Sequence, residues 1–252
     1  MIMSVLEDIL CGFEPITLDQ MSSIKLLNRT VTKYVTDMAV LERLLSMAQP
    51  YYYVQEQSGG RNMPYGTLYF DTPDCRMFRE HERGKLTRYK VRIRTYESSG
   101  TSFLEVKHKN NHGRTKKTRI ETDSFLIDDD RSLEYLAKRL PDYDPSILEP
   151  RLQNHFRRIT LVNKQKTERL TIDTALRFEN LATGNTADMG KLVGLEIKRD
   201  GLTESPMTGL LSGLRVKSSG FSKYCIGSAL TDEGLKQNNF KEKISRIKKL
   251  TE

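Results

Sequence analysis

The segment RYKVRIRTY, residues 88–96, carries a positive charge at every second position. Successive side chains of a β-strand point to opposite faces of the sheet. As a strand, this segment presents Val91 and Ile93 on one face. The other face presents four cations, which are Arg88, Lys90, Arg92 and Arg94. Guanidinium groups bind phosphate oxygens in bidentate fashion and ammonium groups act as point charges, so the pattern predicts a surface that binds an anion.

Six other segments repeat this alternation of charged and apolar positions. They are RTVTK (29–33), FLEVKHK (103–109), KKTRIE (116–121), FRRITL (156–161), ERLTID (168–173) and LVGLEIK (192–198). Any one of them fits an open antiparallel sheet with one face in water. Like charges on neighbouring strands destabilise a sheet. Because the same cation-rich face recurs on seven segments, we expect an anion to compensate the charge.

The charged faces and the apolar faces together favour a closed or nearly closed antiparallel barrel. A barrel of about eight strands leaves an interior wide enough for a small ligand. The interior should hold water and a polyanion, because burying so many unpaired charges is otherwise prohibitive. The predicted fold class is therefore α+β, an antiparallel β tunnel barrel of about eight strands with a charged interior and helices packed outside.

The composition agrees with an anionic ligand. The chain has 252 residues and a net charge of +8, which points to nucleic acid, anionic lipid or a phosphate-rich small molecule. Its three cysteines are far apart and odd in number, so neither a disulfide framework nor a zinc site is predicted. No signal peptide pattern and no apolar run of about 18 residues is seen. We therefore expect a cytoplasmic protein without a transmembrane segment of its own.

Helix signals interrupt the predicted strands at irregular intervals. Thr17 and Gln20 form a capping box, Asp37 can cap a helix, and Ser205 with Pro206 can open another. Further helices are expected at 131–140 and in the basic tail at 239–250. Strands are expected at 29–35, 65–71, 88–96, 102–109, 115–122, 155–162, 168–174, 176–179 and 191–199. No linker divides the chain, so we expect one domain over residues 1–252.

The order of these motifs resembles the VTC polyphosphate polymerase domain of the triphosphate tunnel metalloenzyme (CYTH-like) superfamily. The matching segments are RTVTKYV, YFDTPD, RYKVRIRTY, FLEVKHK, KKTRIE, FRRITL, RLTIDT, LVGLEIK and FSKY. The resemblance runs from about residue 17 to residue 227, with 1–16 as an N-terminal helix and 228–252 as a basic C-terminal tail. It implies an ATP–polyphosphate phosphotransferase that adds the terminal phosphoryl group of ATP to a growing polyphosphate chain.

The resemblance also implies roles for individual residues. The triphosphate would be held by five catalytic cations, Arg92, Arg94, Lys107, Lys117 and Arg158. Substrate would also be bound by Arg29, Lys33, Arg119, Arg169, Lys198, Ser222 and Lys223. Glu196 matches the acid that the family uses to bind a divalent metal, Mn²⁺ or Mg²⁺. The implied partners are ATP and inorganic polyphosphate or pyrophosphate but not nucleic acid, and a membrane-protein partner is consistent with the family.

Two departures from the superfamily pattern separate this chain from its hydrolase branches. Arg29 and Val31 stand where those branches carry metal-binding glutamates, and Phe156 stands where a tyrosine is usual. Glu105 is expected to pair with a lysine on a neighbouring strand, and Asp173 to orient an arginine. The absence of glutamates at Arg29 and Val31 argues against a tripolyphosphatase or an adenylate cyclase of this fold, and Phe156 lacks the hydroxyl contact of a tyrosine.

Two alternative functions remain open at the level of the sequence. The first is a tripolyphosphate or nucleoside triphosphate hydrolase of the same tunnel fold, which would release free phosphate and form no polymer. The second is a non-catalytic module that binds a polyanion or nucleic acid. Against the nucleic-acid module, the cations occupy alternate positions of many strands and do not form one exposed patch.

Overall fold

The computed structural model describes residues 4–22, 29–201 and 203–251. Its mixture of helices and mainly antiparallel strands confirms the predicted fold class. The strands are β1 (Glu14–Ile16), β2 (Arg29–Asp37), β3 (Tyr52–Gln55), β4 (Met63–Asp71), β5 (Arg88–Tyr96), β6 (Thr101–Lys109), β7 (Thr115–Thr122), β8 (Glu149–Asn163), β9 (Glu168–Asn180), β10 (Thr186–Asp188) and β11 (Leu192–Asp200). The helices are α1 (Val5–Cys11), α2 (Leu18–Ser22), α3 (Met38–Ala48), α4 (Arg76–Glu82), α5 (Asp130–Ala137), α6 (Pro206–Gly213), α7 (Lys223–Thr231) and α8 (Lys241–Thr251). Short 3₁₀ helices lie at Gln49–Tyr51, Pro145–Ile147 and Asn238–Phe240.

Eight strands form one continuous antiparallel sheet in the order β2-β11-β9-β8-β4-β5-β6-β7. The sheet curls into a half-barrel, and its concave side is called the groove below. In the part of the chain that the structure describes, the two end strands β2 and β7 do not pair with each other. The remaining strands are accessory, since β3 joins β1 to β8 and β10 pairs with β9.

Helices cover the convex side of the sheet, as the apolar alternation predicted. On one half, α1, α3 and α6 pack on residues such as Ile159, Leu170 and Leu195, which are buried. On the other half, α5 packs on Val91 and Ile93 of β5 and their neighbours on β6. The helices exclude the apolar side chains of these strands from water. Because side chains alternate along a strand, the charged side chains of the same strands face the groove.

A second helical group occupies one end of the groove. Helices α4, α7 and α8 share a core with inner-face residues of β4, β8 and β9. Helix α8 buries Ile244 and Ile247 in this core and leaves its lysines outside. Tyr224 of α7 donates a hydrogen bond of 2.5 Å to Asp71 at the end of β4. Helix α7 is thereby fixed with its first turn over the charged residues of the groove.

The predicted helix starts are confirmed by their caps. Thr17 and Gln20 form the reciprocal capping box, Asp37 accepts from the backbone of Val40, and Ser205 accepts from Thr208. The short strands β1, β3 and β10 were not predicted, because three or four residues are too few to show alternation. None of the described helices has the length and apolar character required to cross a membrane.

One predicted break in the sheet is wrong. The segments 168–174 and 176–179 are a single strand, β9. Ala175, which separates them, has a positive φ of 49° and is part of a β-bulge of β9, where Ala175 and Leu176 together lie opposite Phe156 of β8. The bulge shifts the register and interrupts the alternation without ending the strand.

Candidate active site

Glu105 on β6 is the centre of a first group of opposite charges in the groove. Only 1% of its side chain is exposed. Arg92 on β5 donates from Nε and Nη2 to Glu105 Oε2 at 2.8 and 2.6 Å, and Lys117 on β7 donates to Oε1 at 2.7 Å. Burial alone would raise the pKa of Glu105, but the neighbouring cations outweigh burial and hold this pKa below its usual value. These three residues are called the Glu105 cluster.

Asp173 on β9 is the centre of a second group, the Asp173 cluster. Arg158 on β8 donates from Nε to Oδ1 at 2.6 Å and from Nη2 to Oδ2 at 2.8 Å. Lys223, the first residue of α7, donates to the same Oδ2. Burial lowers the pKa of Lys223 to about 8 although Asp173 opposes the shift. The predicted role of Asp173 as a residue that orients an arginine agrees with this geometry.

Glu196 on β11 is the centre of a third group, the Glu196 cluster. Lys198 on the same strand approaches Oε1 at 3.0 Å, and Lys33 on β2 approaches Oε2 at 3.2 Å. Lys33 also donates to the backbone carbonyl of Phe221 at 3.0 Å. Burial alone would raise the pKa of Glu196, but the surrounding lysines hold it well below its usual value.

Arg94 differs from the other inner arginines because no carboxylate binds it among the described residues. It is buried, and its Nε has no hydrogen-bond partner. Its guanidinium carbon lies 5.9 Å from the ring centres of Tyr65 and Phe156. Burial lowers the pKa of Arg94 to about 10, and the nearby Arg92 and Arg158 add to the shift. Glu105 attracts Arg94 electrostatically but is hydrogen-bonded to Arg92 and Lys117. A buried cation without a carboxylate of its own is costly, so this position favours a bound anion.

A cavity of about 290 Å³, called the mouth cavity, opens at the α7 end of the groove. Its lysines and arginines are Lys33, Arg88, Lys90, Lys107, Lys109 and Lys243. No carboxylate is among the described residues that line it. Lys33 is paired with Glu196, which lies outside these walls, and the other cations of the cavity have no carboxylate within its described walls.

Lys107 is a cation of the mouth cavity whose pKa is lowered by its surroundings. It makes no hydrogen bond or ion pair with any residue that the structure describes, and it reaches water in the groove. The groove walls nevertheless replace much of its water shell, and burial lowers its pKa to about 7, with Lys33 and Lys90 adding to the shift. Lys107 is thus a cation that an anion would stabilise.

The first turn of α7 borders the same cavity. Ser222 caps this helix by accepting from the backbone N–H of Cys225, and it also accepts from Lys90 Nζ at 2.7 Å. The N-terminal end of a helix carries a partial positive charge that favours anions. Ser222, which lines the cavity, and Lys223 therefore lie at a helix terminus that favours an anion, and their contact with substrate remains a prediction.

The remaining predicted residues lie on the strands that form the groove, but their environments differ. Arg119 on β7 is exposed and lies over the ring of Phe103 at 4.2 Å. Arg169 on β9 donates to the carbonyl of Met21 at 3.3 Å. Arg29 begins β2 opposite Asp200 of β11, and its side chain falls outside the described part of the structure.

Some residues of the groove were not assigned a functional role from the sequence. Lys90 was not named among the substrate-binding residues, although it contacts Ser222 and lines the mouth cavity. Tyr65 and Tyr69 were not predicted as groove residues, although Tyr69 lies within 3.4 Å of Arg92 Nη1. Lys90 belongs to the row of Arg92 and could have been included on alternation alone. The tyrosines carry no charge, so the charge pattern could not identify them.

The metal implied by the resemblance can be compared with the donor atoms present. Among the described residues, no group of three or more His, Cys, Asp or Glu side chains could hold a metal ion. Glu196 therefore offers one carboxylate. A Mg²⁺ ion often takes only one or two protein carboxylates and completes its shell with substrate phosphates and water, and Mn²⁺ prefers the same ligands. Glu196 fits an ion bound in this way.

Solved structures that are similar to this chain are distant in sequence. A candidate adenylate cyclase from Bacillus halodurans aligns with a TM-score of 0.51 and 16% identity, covering 77% of this chain and 94% of that chain. A candidate adenylyl cyclase from Hippeastrum, reported to have a dominant triphosphatase activity, aligns with a TM-score of 0.48 and 18% identity, covering 80% of this chain and 95% of that chain. No curated protein matches the sequence significantly.

The family model of the VTC domain matches residues 28–231, which is most of the chain. The match includes all strands of the groove and the three carboxylate-centred clusters. The chain belongs to the VTC domain family and has the triphosphate tunnel fold.

Proposed function

We propose that this protein is a polyphosphate polymerase that transfers the terminal phosphoryl group of ATP to a growing inorganic polyphosphate chain. The observation that carries the proposal is a cationic path along one face of β5 within a VTC domain. The path consists of alternate residues of β5, from the buried Arg94, to which no described carboxylate is hydrogen-bonded, to Lys90 and Arg88 in the mouth cavity, whose described walls contain cations and no carboxylate. A linear polyanion matches both the shape and the charge of this path.

In this proposal the triphosphate of ATP lies over the centre of the groove. It is held by the five cations Arg92, Arg94, Lys107, Lys117 and Arg158. The polyphosphate chain lies towards the mouth cavity, against Lys33, Lys90, Ser222 and Lys223. Arg29, Arg119, Arg169 and Lys198 supply additional positive charge along the walls. The proposal thus adds Lys90 to the substrate contacts that the sequence indicated.

The carboxylates of Glu105 and Asp173 have a positioning role. Each holds one arginine and one lysine in a fixed orientation. Because these cations are oriented before substrate arrives, little reorganisation is needed when phosphate oxygens approach them. Such preorganised charge is the main protein contribution to phosphoryl transfer.

The reaction requires no protein nucleophile. A terminal oxygen of the polyphosphate chain attacks the γ-phosphorus of ATP. The bond between that phosphorus and the β–γ bridging oxygen breaks, and ADP leaves with the electron pair. Arg94 and the Glu105 cluster neutralise the charge on the transferred group. A divalent metal on Glu196, when bound, would neutralise further charge on the phosphate oxygens.

Substitution of Arg94 tests the proposal. We expect Arg94→Ala protein that remains folded to make no detectable polymer from ATP and Mn²⁺. The reason is that the transferred group loses a buried arginine to which no described carboxylate is hydrogen-bonded. Polymer length and yield on a polyphosphate gel are the measurement. Arg43→Ala is the matched control, since Arg43 is exposed on α3 outside the groove, and it should retain full synthesis. Undiminished synthesis by Arg94→Ala would rule out the assignment.

A further inference from the structure

Four aromatic side chains lie side by side at the end of the groove away from the mouth cavity. Tyr65 on β4 stacks on Phe156 of β8 with ring centres 5.4 Å apart and an angle of 14°. Tyr96 on β5 lies 5.0 Å from Tyr65, and Phe103 on β6 lies 5.9 Å from Tyr96. The four rings are called the aromatic row. They extend across four neighbouring strands in the order β8, β4, β5 and β6.

The aromatic row is in direct contact with the proposed triphosphate site. The guanidinium of Arg94 lies 5.9 Å from the ring centres of both Tyr65 and Phe156, and that of Arg158 lies 5.3 Å from Tyr65. A ligand that leaves its phosphates on these arginines would therefore place its next group on the rings.

Two members of the row remain accessible. Tyr65 and Phe156 are buried, whereas Tyr96 and Phe103 are only partly buried. The exposed guanidinium of Arg119 lies over the Phe103 ring at 4.2 Å, so a base that stacks on this ring face would take the place of that guanidinium or stack on its outer side. A second cavity, of about 180 Å³, borders Tyr65 and Phe156 from the same end and is also lined by Glu97 and His155.

From this arrangement we propose that the aromatic row is a nucleobase site, with the base stacked on the Phe103 ring and the Tyr96 ring, which is turned by 84° from Phe103, packed against it edge-on. The inference rests on the proposed function, because it takes a nucleoside triphosphate as the ligand. Stacking on aromatic rings binds any base, since every base has a π-face. The site therefore fixes the direction of the nucleotide in the groove, with its base at the aromatic row and its phosphates towards the mouth cavity.

Comparison of ATP with tripolyphosphate isolates the contribution of the base, because the second ligand has the phosphates and lacks the nucleoside. We expect Phe103→Leu and Tyr96→Leu each to raise the Kd of a non-hydrolysable ATP analogue about tenfold, the scale of losing one stacking ring. In the same variants, the Kd of tripolyphosphate should change by less than about twofold, because this ligand has no base to stack. Phe103→Trp should bind the ATP analogue at least as tightly as the unmodified protein. Thermal unfolding of each variant checks that the fold is retained.

The outcomes separate this inference from the proposed function. Equal weakening of both ligands would overturn the base site, because it would indicate damage to the phosphate site. Unchanged binding of the ATP analogue by folded variants would overturn it as well. If the unmodified protein binds tripolyphosphate but makes no polymer, the proposed function fails while the ATP and tripolyphosphate comparison still tests the aromatic row.

Discussion

At the scale of single residues, the groove contains carboxylates that serve different purposes. Glu105 and Asp173 each bind an arginine with two short hydrogen bonds and also bind a lysine. Glu196 contacts two lysines at longer distances, 3.0 and 3.2 Å. The carboxylate with the longer contacts is the one that can most readily exchange its lysines for a metal ion.

Glu196→Gln separates metal binding from anion binding. The substitution removes the carboxylate and leaves its two lysines without a counter-charge. We expect polymer synthesis with Mn²⁺ to fall at least about a hundredfold, as with other losses of charge stabilisation in an active site. Tripolyphosphate without metal should bind as tightly as before or more tightly. Loss of metal-free binding to the same extent as synthesis would contradict a metal-binding role.

Lys107 is expected to make ligand binding depend on pH. Burial lowers its pKa to about 7, so without ligand it is mostly uncharged above neutral pH. A bound polyanion favours the charged ammonium and raises this pKa. Binding should therefore take up protons above about pH 7, and affinity should fall as pH rises, by up to about tenfold per pH unit for each lysine involved.

Calorimetry measures this proton uptake directly. Titration of tripolyphosphate at pH 8 in buffers of different ionisation enthalpy should show proton uptake by the protein. Lys107→Arg should take up fewer protons, since an arginine stays charged throughout this range. Comparison of the two proteins cancels the protonation of the ligand itself. Identical proton uptake by both would show that Lys107 does not titrate on binding.

The sequence identified groove residues where charged side chains recur at alternate positions. It did not identify aromatic groove residues or contacts between strands. Arg92 and Arg94 belong to one charged row, which the alternation in the sequence revealed. Only the structure distinguishes them, because the partner of Arg92 comes from β6 and Arg94 faces aromatic rings. Strand register sets such neighbours, and no local pattern encodes it.

At the scale of elements, the close approach of α7 to the sheet positions Lys223 and Ser222. A Cβ atom at Gly227 would lie 2.5 Å from Phe178 Cδ1 and 2.7 Å from Leu152 Cδ2. The absence of a side chain at this position allows the helix to lie directly on β8 and β9. The cap of α7 then reaches Lys90, and its first residue reaches Asp173.

Gly227→Ala should therefore destabilise the protein. We expect a loss of about 1–3 kcal/mol, typical of overpacking a buried contact, measured by urea denaturation. Gly209→Ala is the matched control, because Gly209 lies in α6 and a Cβ atom there would meet nothing within 4 Å. The control should be neutral or stabilising by up to about 1 kcal/mol. Equal effects of the two substitutions would contradict the packing explanation.

Helices and strands were predicted correctly where local signals mark their ends. The prediction failed where a tertiary feature interrupts those signals. The caps at Thr17, Asp37 and Ser205 fixed three helix starts. The bulge at Ala175 and Leu176 obscured one continuous strand, because pairing with β8 on both sides of the bulge is what keeps β9 continuous. The packing of α7 on the sheet has no local signature and needed the structure.

At the scale of the whole molecule, the two sides of one sheet have opposite characters. The convex side is buried by helices, and the groove carries many of the charges of a chain whose net charge is +8. The sequence indicated this division because the alternation recurs on seven segments. It did not indicate that, within the described residues, the end strands β2 and β7 do not pair with each other, since pairing between distant strands leaves no periodic signal.

Incubation of the unmodified protein with ATP, Mn²⁺ and a pyrophosphate primer tests polymerase activity most directly. The products are separated on a polyphosphate gel, and released ADP and free phosphate are measured. A polymerase predicts a ladder of growing chains with one ADP released for each phosphate added. Release of free phosphate without any chain growth would contradict this function and favour a hydrolase of the same fold.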